Sequence, residues 1–387
     1  MKILYISRAF FPSKTSNSLS IMRMAQAFHD QGHEVVLVGN LSESASTEEI
    51  FAFYGLRGGF SLVCQTLFSE PISGRLRSAI HRHLVSPFQN RKICQVFEPD
   101  LLYSRLTFSE LALIPTRRHL IYEMHSPGLL ASSRITAGAF RLLLRRFDVD
   151  AIVVTTQTLA SYVKSALPNH RVIIAPLSAE RPISKHALAQ SNIQLKECVK
   201  GSCIGQVGYT GFLDTGRLRG IDRIILIAAE FPEACFHIVG GDVDAVAHWL
   251  KFNQRVNPNP NVHFYGRQNP EEIPHFLDKF DVVLSPLRYR QTKSTPFGKN
   301  ASPLKIPQYL AYGKAIIASD IPSHREYLED ERTAILVPEG GIGEWVKSIK
   351  RILGDAAQRE ALQRAGLQLY EDRYTPEHRV RTILMPR

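Results

Sequence analysis

The chain has 387 residues, of which 44% are hydrophobic, and a formal net charge of +11. This length suits two domains of ordinary size, and the apolar content excludes an intrinsically disordered chain. No apolar run reaches the roughly 18 residues that a membrane-spanning helix needs. The five cysteines have no paired metal-ligand spacing.

The first half of the chain predicts strands that alternate with helices. Residues 2–7 are apolar and rich in strand formers, residues 21–28 repeat apolar side chains at helical spacing, and residues 34–39 predict a second strand. Further strands are predicted at 101–103, 120–123, 151–155 and 172–175, and helices at 136–147 and 158–167. Such alternation predicts a parallel sheet with helical crossovers. Because MKILYIS enters a strand directly, we expect no cleavable leader, no disulfides and a cytoplasmic location.

The second half repeats this organisation after a break. Residues 179–200 are polar and aperiodic, which predicts an interdomain connection. Strands are then predicted at 202–209, 236–240, 262–265, 281–285, 315–319 and 334–337, and helices at 221–230 and 343–353. We therefore predict an α/β protein with two doubly wound, Rossmann-like domains at 1–178 and 201–369. A helix within 370–387 is expected to cross back to the first domain. Ligands of such folds bind beyond the carboxyl ends of the strands.

The segment SPLKIPQYLAYGKAIIASD, residues 302–320, predicts a turn, a short helix and a buried strand. Ser302 predicts the helix cap, because serine accepts hydrogen bonds from free backbone N–H groups. Pro303 and Pro307 fit the first turn, and Gly313 predicts a left-handed stop. A helix start carries free N–H groups and partial positive charge, so this segment suits a diphosphate.

Over almost its whole length the chain resembles retaining glycosyltransferases of the GT-B fold, specifically family 4. Three segments carry the resemblance: MKILYISRAFFPSKTSNSLSIMRMAQAFHDQGHEV, VGYTGFLDTGRLRGIDRI and SPLKIPQYLAYGKAIIASD. The resemblance implies transfer of a sugar from a nucleotide-diphosphate sugar with retention of anomeric configuration. It also implies a donor in the cleft between the domains, held mostly by the second, and no cofactor or metal.

The resemblance also implies which residues hold the diphosphate. Arg219, in the string Arg-Gly-Ile-Asp, stands where relatives place a basic residue, usually lysine, that neutralises the leaving group; Arg217 is a second candidate. Arginine presents a planar fork that matches phosphate oxygens. Backbone N–H groups from Ser302 to Lys305, with Leu304 and Lys305 nearest, would complete the site. A solvated surface loop and a plain packing helix are the structural alternatives.

Two departures from the family concern the donor's sugars. Relatives often carry two glutamates eight positions apart, and here Asn300 and Gln308 stand in their places. Glutamine can still donate to and accept from ribose hydroxyls. Asn300 stands where relatives place the glutamate that contacts the transferred sugar, and it has no carboxylate. These changes motivate an alternative function, a catalytically degenerate GT-B protein that binds a nucleotide sugar or a partner.

The first domain supplies the remaining candidates. The resemblance implies that His125, directly after a predicted strand, faces the donor and positions the transferring sugar or the acceptor; a structural histidine is the alternative. Asn17 and Ser18 follow the first strand, where relatives approach the phosphates and the acceptor, and either could also cap the helix. In the second domain, Arg267 after Gly266 matches a position that contacts the base.

Charge gives the last clues. Residues 1–178 hold 19 basic and 12 acidic residues, which leaves a net charge of +7. Residues 75–85 predict an amphipathic helix that either contacts an anionic membrane or packs on the core with a solvated basic side.

The two Asp-x-Asp strings, at 148–150 and 242–244, are interpreted as surface acids. No motif accompanies the charge to indicate nucleic-acid binding, and no glycine-rich fingerprint follows the first strand to indicate a nicotinamide-dependent enzyme. We predict a metal-independent transferase that acts on a glycan or lipid-linked acceptor in surface polysaccharide or glycolipid assembly.

Overall fold

A computed structural model describes residues 1–42, 44–65, 85–105, 111–182, 193–196, 203–216, 218–289, 304–338 and 340–385. The chain forms two compact units. The first comprises Met1–Leu177 with Pro376–Arg387, and the second comprises Ser178–Thr375. Residues 193–196, within the predicted interdomain connection, contact the second unit, since the Lys196 N–H donates to the Tyr265 hydroxyl at 2.9 Å.

The first unit contains a seven-stranded sheet whose described pairings are all parallel. Its strands are β1 (Lys2–Phe11), β2 (Glu34–Leu41), β3 (Ser61–Gln65), β4 (Leu101–Ser104), β5 (His119–Met124), β6 (Asp148–Val154) and β7 (Val172–Ile174). Its helices are α1 (Ser16–Asp30), α2 (Thr47–Tyr54), α3 (Ser86–Phe97), α4 (Leu129–Ser132), α5 (Arg134–Leu144) and α6 (Gln157–Ala166). The order β3-β2-β1-β4-β5-β6-β7 reverses between β1 and β4. Doubly wound folds bind ligands at this switch point.

The second unit contains a six-stranded parallel sheet. Its strands are β8 (Gln206–Thr210), β9 (Cys235–Val239), β10 (Val262–Gly266), β11 (Val282–Ser285), β12 (Ala315–Ser319) and β13 (Ile335–Val337). Its helices are α7 (Ile221–Glu230), α8 (Val243–Val256), α9 (Ile273–Asp278), α10 (Lys305–Ala311), α11 (Pro322–Arg325), α12 (Ile342–Gly354) and α13 (Ala356–Arg373). The order β10-β9-β8-β11-β12-β13 reverses between β8 and β11. The last helix of the chain, α14 (Pro376–Leu384), belongs to the first unit.

Apolar clusters cover both faces of each sheet. In the first unit, Tyr5 and Phe28 belong to one cluster, and Leu4 and Phe140 belong to the other. In the second unit, α7 and α12 pack on one face and α10 packs on the other. Strands buried on both faces read as continuous apolar runs, as Ala315–Ser319 does. The predicted architecture of two Rossmann-like α/β domains is confirmed.

Several elements differ from the sequence-based prediction. β1 extends to Phe11, and its pairing with β2 shifts register between Ile6 and Phe10. β3 was not predicted, and neither were α2, α3, α8 and α13. Residues 370–373, assigned above to a separate tail, form the end of α13 in the second unit.

The expectation of no disulfides is wrong for one residue. Cys235, the first residue of β9, is disulfide-bonded, whereas Cys64, Cys94 and Cys203 are free thiols.

Among the described residues, none of the helices combines the length and the apolar character that crossing a bilayer requires.

Candidate functional site

Arg219 lies in the loop that joins β8 to α7, beside the switch point of the second sheet. The Asp214 carboxylate fixes the loop, since it accepts hydrogen bonds from the N–H groups of Leu218 at 3.2 Å and Arg219 at 3.1 Å. The Arg219 guanidinium is partly exposed and forms no ion pair with any carboxylate that the structure describes. The loop therefore orders the backbone of Arg219 and leaves its charge available.

Gly220 presses this loop against the chain that leaves β11. Its φ is +73°, in the left-handed region, and a Cβ atom there would lie 2.1 Å from the Pro286 carbonyl oxygen. The Arg288 N–H donates to the Leu218 carbonyl at 2.9 Å, and the Arg288 guanidinium pairs with the buried Asp222 at 2.7 Å. The two loops at the switch point are thus joined by backbone contact and by an ion pair.

Helix α10 begins beside the same loop. Its N-cap is Leu304, which makes no side-chain cap hydrogen bond; the prediction that Ser302 caps this helix falls on a residue outside the described ones. Pro307 lies in the first turn, and Gly313 is left-handed at φ +56°, as predicted. Arg217, Asn300 and Ser302 lie outside the described residues.

Lys305, the first residue of α10, is the second cation of this site. Its Nζ lies 3.7 Å from the centre of the Tyr209 ring, within the range of a cation–π contact. Burial, and then the charge of Arg219, lower the pKa of Lys305 well below its usual range, although Asp214 opposes them. The sequence prediction used only the backbone of Lys305, but the structure also brings its ammonium group near Arg219.

This arrangement suits a diphosphate. Arg219 is near enough to lower the pKa of Lys305, and none of the carboxylates described around Lys305 forms an ion pair with it. A bound dianion would favour the charged form of Lys305 and offset its repulsion by Arg219. The free N–H groups at the start of a helix add a weaker attraction of the same sign.

The other candidates of the second unit are dispersed. Gln308 is half-buried one turn into α10, and its side chain has no hydrogen bond to a described residue. Arg267 is exposed directly after β10, two strands away from β8.

Sequence reasoning missed a buried histidine at the ends of β11 and β12. His324 donates through Nδ1 to the Ser319 carbonyl at 2.7 Å, and its Nε2 accepts from the Ser285 hydroxyl at 3.0 Å. Burial lowers its pKa to about 4, and Lys305 acts in the same direction. His324 is therefore neutral at pH 7 and ties two strand ends together.

The first unit has a cavity of about 230 Å³ at the switch point of its own sheet. Arg8 lines it from β1, after the last pairing of that strand with β4. Arg105 and His125 line it from positions directly after β4 and β5, and Asn17 lines it from the first turn of α1. The structure thus brings Asn17 and His125, two of the predicted site residues, to one cavity.

Both ring nitrogens of His125 are engaged inside the protein. Nε2 contacts the Glu123 carboxylate, and Nδ1 lies 3.2 Å from a guanidinium nitrogen of Arg105. Because arginine can only donate, Nδ1 accepts and the ring proton lies on Nε2, directed at Glu123. Burial and Arg105 lower the pKa of His125 despite Glu123, so the ring is neutral at pH 7.

Glu123 connects this cavity to the C-terminal helix α14. It accepts a hydrogen bond from Arg379 at 2.7 Å and another from the Tyr103 hydroxyl. Burial alone would raise its pKa, but Arg379, Arg105 and His125 together hold the pKa of Glu123 well below its usual range. Glu123 precedes His125 by two residues, and the period of two in a strand places both on one face; this signal was present in the sequence.

The helix α1 is capped by neither predicted residue. Thr15 is the N-cap and accepts from the Ser18 N–H, while the Ser18 hydroxyl donates to the Phe10 carbonyl at 3.0 Å. The prediction that Asn17 or Ser18 caps the helix is wrong. The buried Ser18 holds β1 to α1, and the exposed Asn17 remains at the cavity.

The acidic strings have local roles. Asp242 caps α8 by accepting from the Ala245 N–H at 2.9 Å. Asp148 and Asp150 lie 3.6 and 3.3 Å from the exposed His119, where β5 and β6 begin. This grouping of three possible metal ligands was not expected. It lies at the amino ends of the strands, whereas the cavity lies at their carboxyl ends. The basic segment at 75–84 lies outside the described residues.

Comparisons with known proteins agree with this architecture. A family model described as Glycosyltransferase Family 4 matches residues 18–177, and one described as Glycosyl transferases group 1 matches residues 206–355. A curated relative, the putative teichuronic acid biosynthesis glycosyltransferase TuaH of Bacillus subtilis, is 33% identical over 96 residues. That match covers 25% of this chain, and the chain spans only 22% of the relative's length.

Two solved structures resemble the chain over nearly its full length. Sucrose-phosphate synthase from Thermosynechococcus elongatus has a TM-score of 0.69 at 16% identity, covering 98% of this chain and 96% of that one. HepE of Anabaena, in complex with UDP and glucose, has a TM-score of 0.67 at 17% identity, covering 99% and 98%. At these identities the likeness shows the fold.

Proposed function

We propose that this chain, which belongs to the family 4-like glycosyltransferases of the GT-B fold, transfers a sugar from a nucleotide-diphosphate sugar to a glycan or lipid-linked acceptor. The pathway would be assembly of a surface polysaccharide or glycolipid, as the similarity to a teichuronic acid glycosyltransferase suggests. The observation that carries the proposal is the placement of Lys305 Nζ over the Tyr209 ring and beside Gly211, at the carboxyl end of β8, in the loop region that also holds Arg219.

The donor would bind to the second unit. Arg219 and Lys305 would neutralise the diphosphate as it leaves, which is where negative charge develops in the transition state. Gln308 would hold the ribose and Arg267 the base, while Asn300 and Arg217 keep the roles implied by the resemblance. Similarity to HepE, solved with UDP and glucose, makes UDP-sugars the first donors to test.

The acceptor would bind to the first unit, where Asn17 and His125 border the cavity. His125 is neutral, and its nitrogens are held by Glu123 and Arg105, so in our proposal it shapes the cavity and positions a substrate. Glu123 is ion-paired and buried, which makes it a poor covalent nucleophile. A retaining reaction by front-face attack, with the leaving diphosphate taking the acceptor proton, is consistent with these contacts. No metal or cofactor enters this proposal, and we expect a cytoplasmic enzyme. Binding to anionic lipid vesicles would show contact with a membrane surface.

The test is release of free nucleotide from a panel of nucleotide sugars, first without and then with glycan acceptors. We expect turnover with at least one donor, undiminished by EDTA, and a product whose anomeric proton coupling in NMR shows retention. Arg219→Ala serves as the matched inactive control. Inversion, or a requirement for a divalent metal, would contradict the mechanism. Tight donor binding without turnover on any acceptor would favour the degenerate binding protein instead.

A further inference from the structure

The cavity of the first unit carries an excess of positive charge. Arg8 and Arg105 line it, and Arg379 lies against its buried carboxylate, Glu123. Glu123 is the acidic residue among those that line the described cavity. Two guanidinium groups, those of Arg105 and Arg379, therefore share one carboxylate in a partly enclosed space, where water screens charge poorly.

Glu123 balances the charge of Arg105 only in part, because it is shared with Arg379. Its short contacts go to Arg379, at 2.7 Å, and to His125, whereas the Nε of Arg105 is 3.9 Å away. This is the shortest distance between Arg105 and any carboxylate that the structure describes. The Arg105 side chain is only 10% exposed, and its hydrogen bond goes to the neutral ring of His125. A buried arginine is stable when closely paired with an anion, and here the hydrogen bond goes to an uncharged imidazole while the nearest carboxylate is shared with Arg379.

We propose that this cavity is an anion subsite in which Arg105, with Arg8, binds an oxyanion carried by the acceptor. The inference rests on the proposed function and adds the chemical class of the acceptor: a phosphate or a carboxylate close to the accepting hydroxyl. Arginine's fork matches both groups bidentately. A phosphate would belong to a phosphorylated sugar or lipid, and a carboxylate to a uronic acid.

The contacts explain how binding would be reported. An anion at Arg105 competes with the Nδ1 lone pair of His125 for the guanidinium protons. The ring nitrogens of His125 then sense the anion directly. Because Arg379 and the Tyr103 hydroxyl also donate to Glu123, the carboxylate stays in place while Arg105 reorients.

The experiment uses the full chain carrying Arg219→Ala, which weakens anion binding at the second unit. Inorganic phosphate, glucuronate and glucose are each titrated by calorimetry, and the His125 ring nitrogens are followed by NMR. We expect phosphate or glucuronate to bind and to shift the His125 Nδ1 resonance, and neutral glucose to do neither. Binding of phosphate alone identifies a phosphorylated acceptor, and binding of glucuronate alone identifies a uronic acid.

Arg105→Gln should lower the affinity for the anion at least tenfold, and Arg105→Lys should lower it less. Arg134→Gln, at the exposed first residue of α5, is the matched control and should bind normally. The proposal is overturned if neither anion shifts His125 or if Arg105→Gln binds both anions as before. If Arg105→Gln does not fold, the His125 shift in the parent chain decides alone.

The two proposals fail separately. Anion binding at Arg105 without any turnover of nucleotide sugars would support the anion subsite and contradict the proposed transferase function. Turnover of nucleotide sugars without anion binding at Arg105 would support the proposed function and contradict the anion subsite.

Discussion

Arg219 is positioned by its backbone and not by its side chain. Asp214 holds its N–H at 3.1 Å, and the next residue, Gly220, fits against Pro286 only because it has no Cβ atom. The guanidinium is left without a described ion-pair partner, beside the ammonium group of Lys305. Such a pair repels unless an anion is present, so its free energy depends on what binds.

We expect Arg219→Ala to weaken the binding of a nucleoside diphosphate by about 10- to 100-fold, since a hydrogen bond to a charged group contributes about 1.5–3 kcal/mol. Isothermal titration calorimetry with UDP and GDP measures the change. Arg332→Ala is the control, because Arg332 is an exposed cation of the same unit that pairs with Glu329. Unchanged affinity in Arg219→Ala would place the diphosphate elsewhere.

At the scale of elements, the site depends on the loop between β8 and α7. Glycines allow main chain to meet main chain there: a Cβ at Gly240 would lie 1.8 Å from the Gly211 carbonyl oxygen. The loop is also fastened by Asp214 and by the ion pair of Arg288 with Asp222. Close backbone approach at the ends of β8, β9 and β11 is what places Arg219 next to Lys305.

We expect Gly220→Ala to destabilise the second unit by at least about 1–2 kcal/mol, the cost of a left-handed conformation for a residue with a Cβ. The new Cβ would also displace Pro286, so nucleotide binding should weaken together with stability. Urea unfolding and calorimetry measure the two effects.

The matched control for this change is Gly343→Ala. Gly343 lies within α12, and a Cβ there meets nothing within 4 Å. Its stability should stay the same or rise by up to about 1 kcal/mol, because alanine favours the helix. A Gly220→Ala protein that is as stable as this control would show that the loop is not fixed by backbone contact.

At the scale of the whole molecule, the chain leaves the first unit after Leu177 and returns to it at Pro376. The returning helix α14 brings Arg379 to Glu123, a residue that lines the cavity of the first unit. The second unit also buries two histidines that are neutral at pH 7. Burial lowers the pKa of His237 to about 3 and that of His324 to about 4.

These histidines predict acid lability. Their folded pKa values lie below the ordinary 6.5, so the unfolded chain binds more protons between these limits. The free energy of unfolding should therefore be highest above pH 6.5 and fall as the pH drops toward 4. His324 alone corresponds to a loss on the order of 3 kcal/mol across that interval.

Urea unfolding at pH 7.5, 6 and 5 measures this dependence. His324→Asn should have lower stability at pH 7.5 and a shallower loss on acidification. His248→Gln is the control, since His248 is exposed on α8, and its pH profile should match that of the parent chain. A parent chain with equal stability at pH 7.5 and 5 would contradict the assignment of neutral buried histidines.

Much of the fold was predictable because it is written in local patterns. Apolar runs such as Ala315–Ser319 and the helical spacing in Ile221–Glu230 determine element type without reference to the rest of the chain. Alternation of the two then implies parallel sheets, and with them the carboxyl ends as the place for ligands. The helices α8 and α13 are long, but the sequence did not predict them because each has few buried residues to mark an apolar face.

The sequence by itself predicted the two α/β domains, the resemblance to GT-B glycosyltransferases, and Arg219 and His125 as candidate site residues. Only the tertiary structure decided what surrounds them: Lys305 beside Arg219, and Arg105, Glu123 and Arg379 around His125. Arg379 is 256 positions from Glu123, and no periodicity links residues so far apart. Charge balance depends on distance in space, so whether a cation is paired or free for a ligand is fixed only when the chain folds.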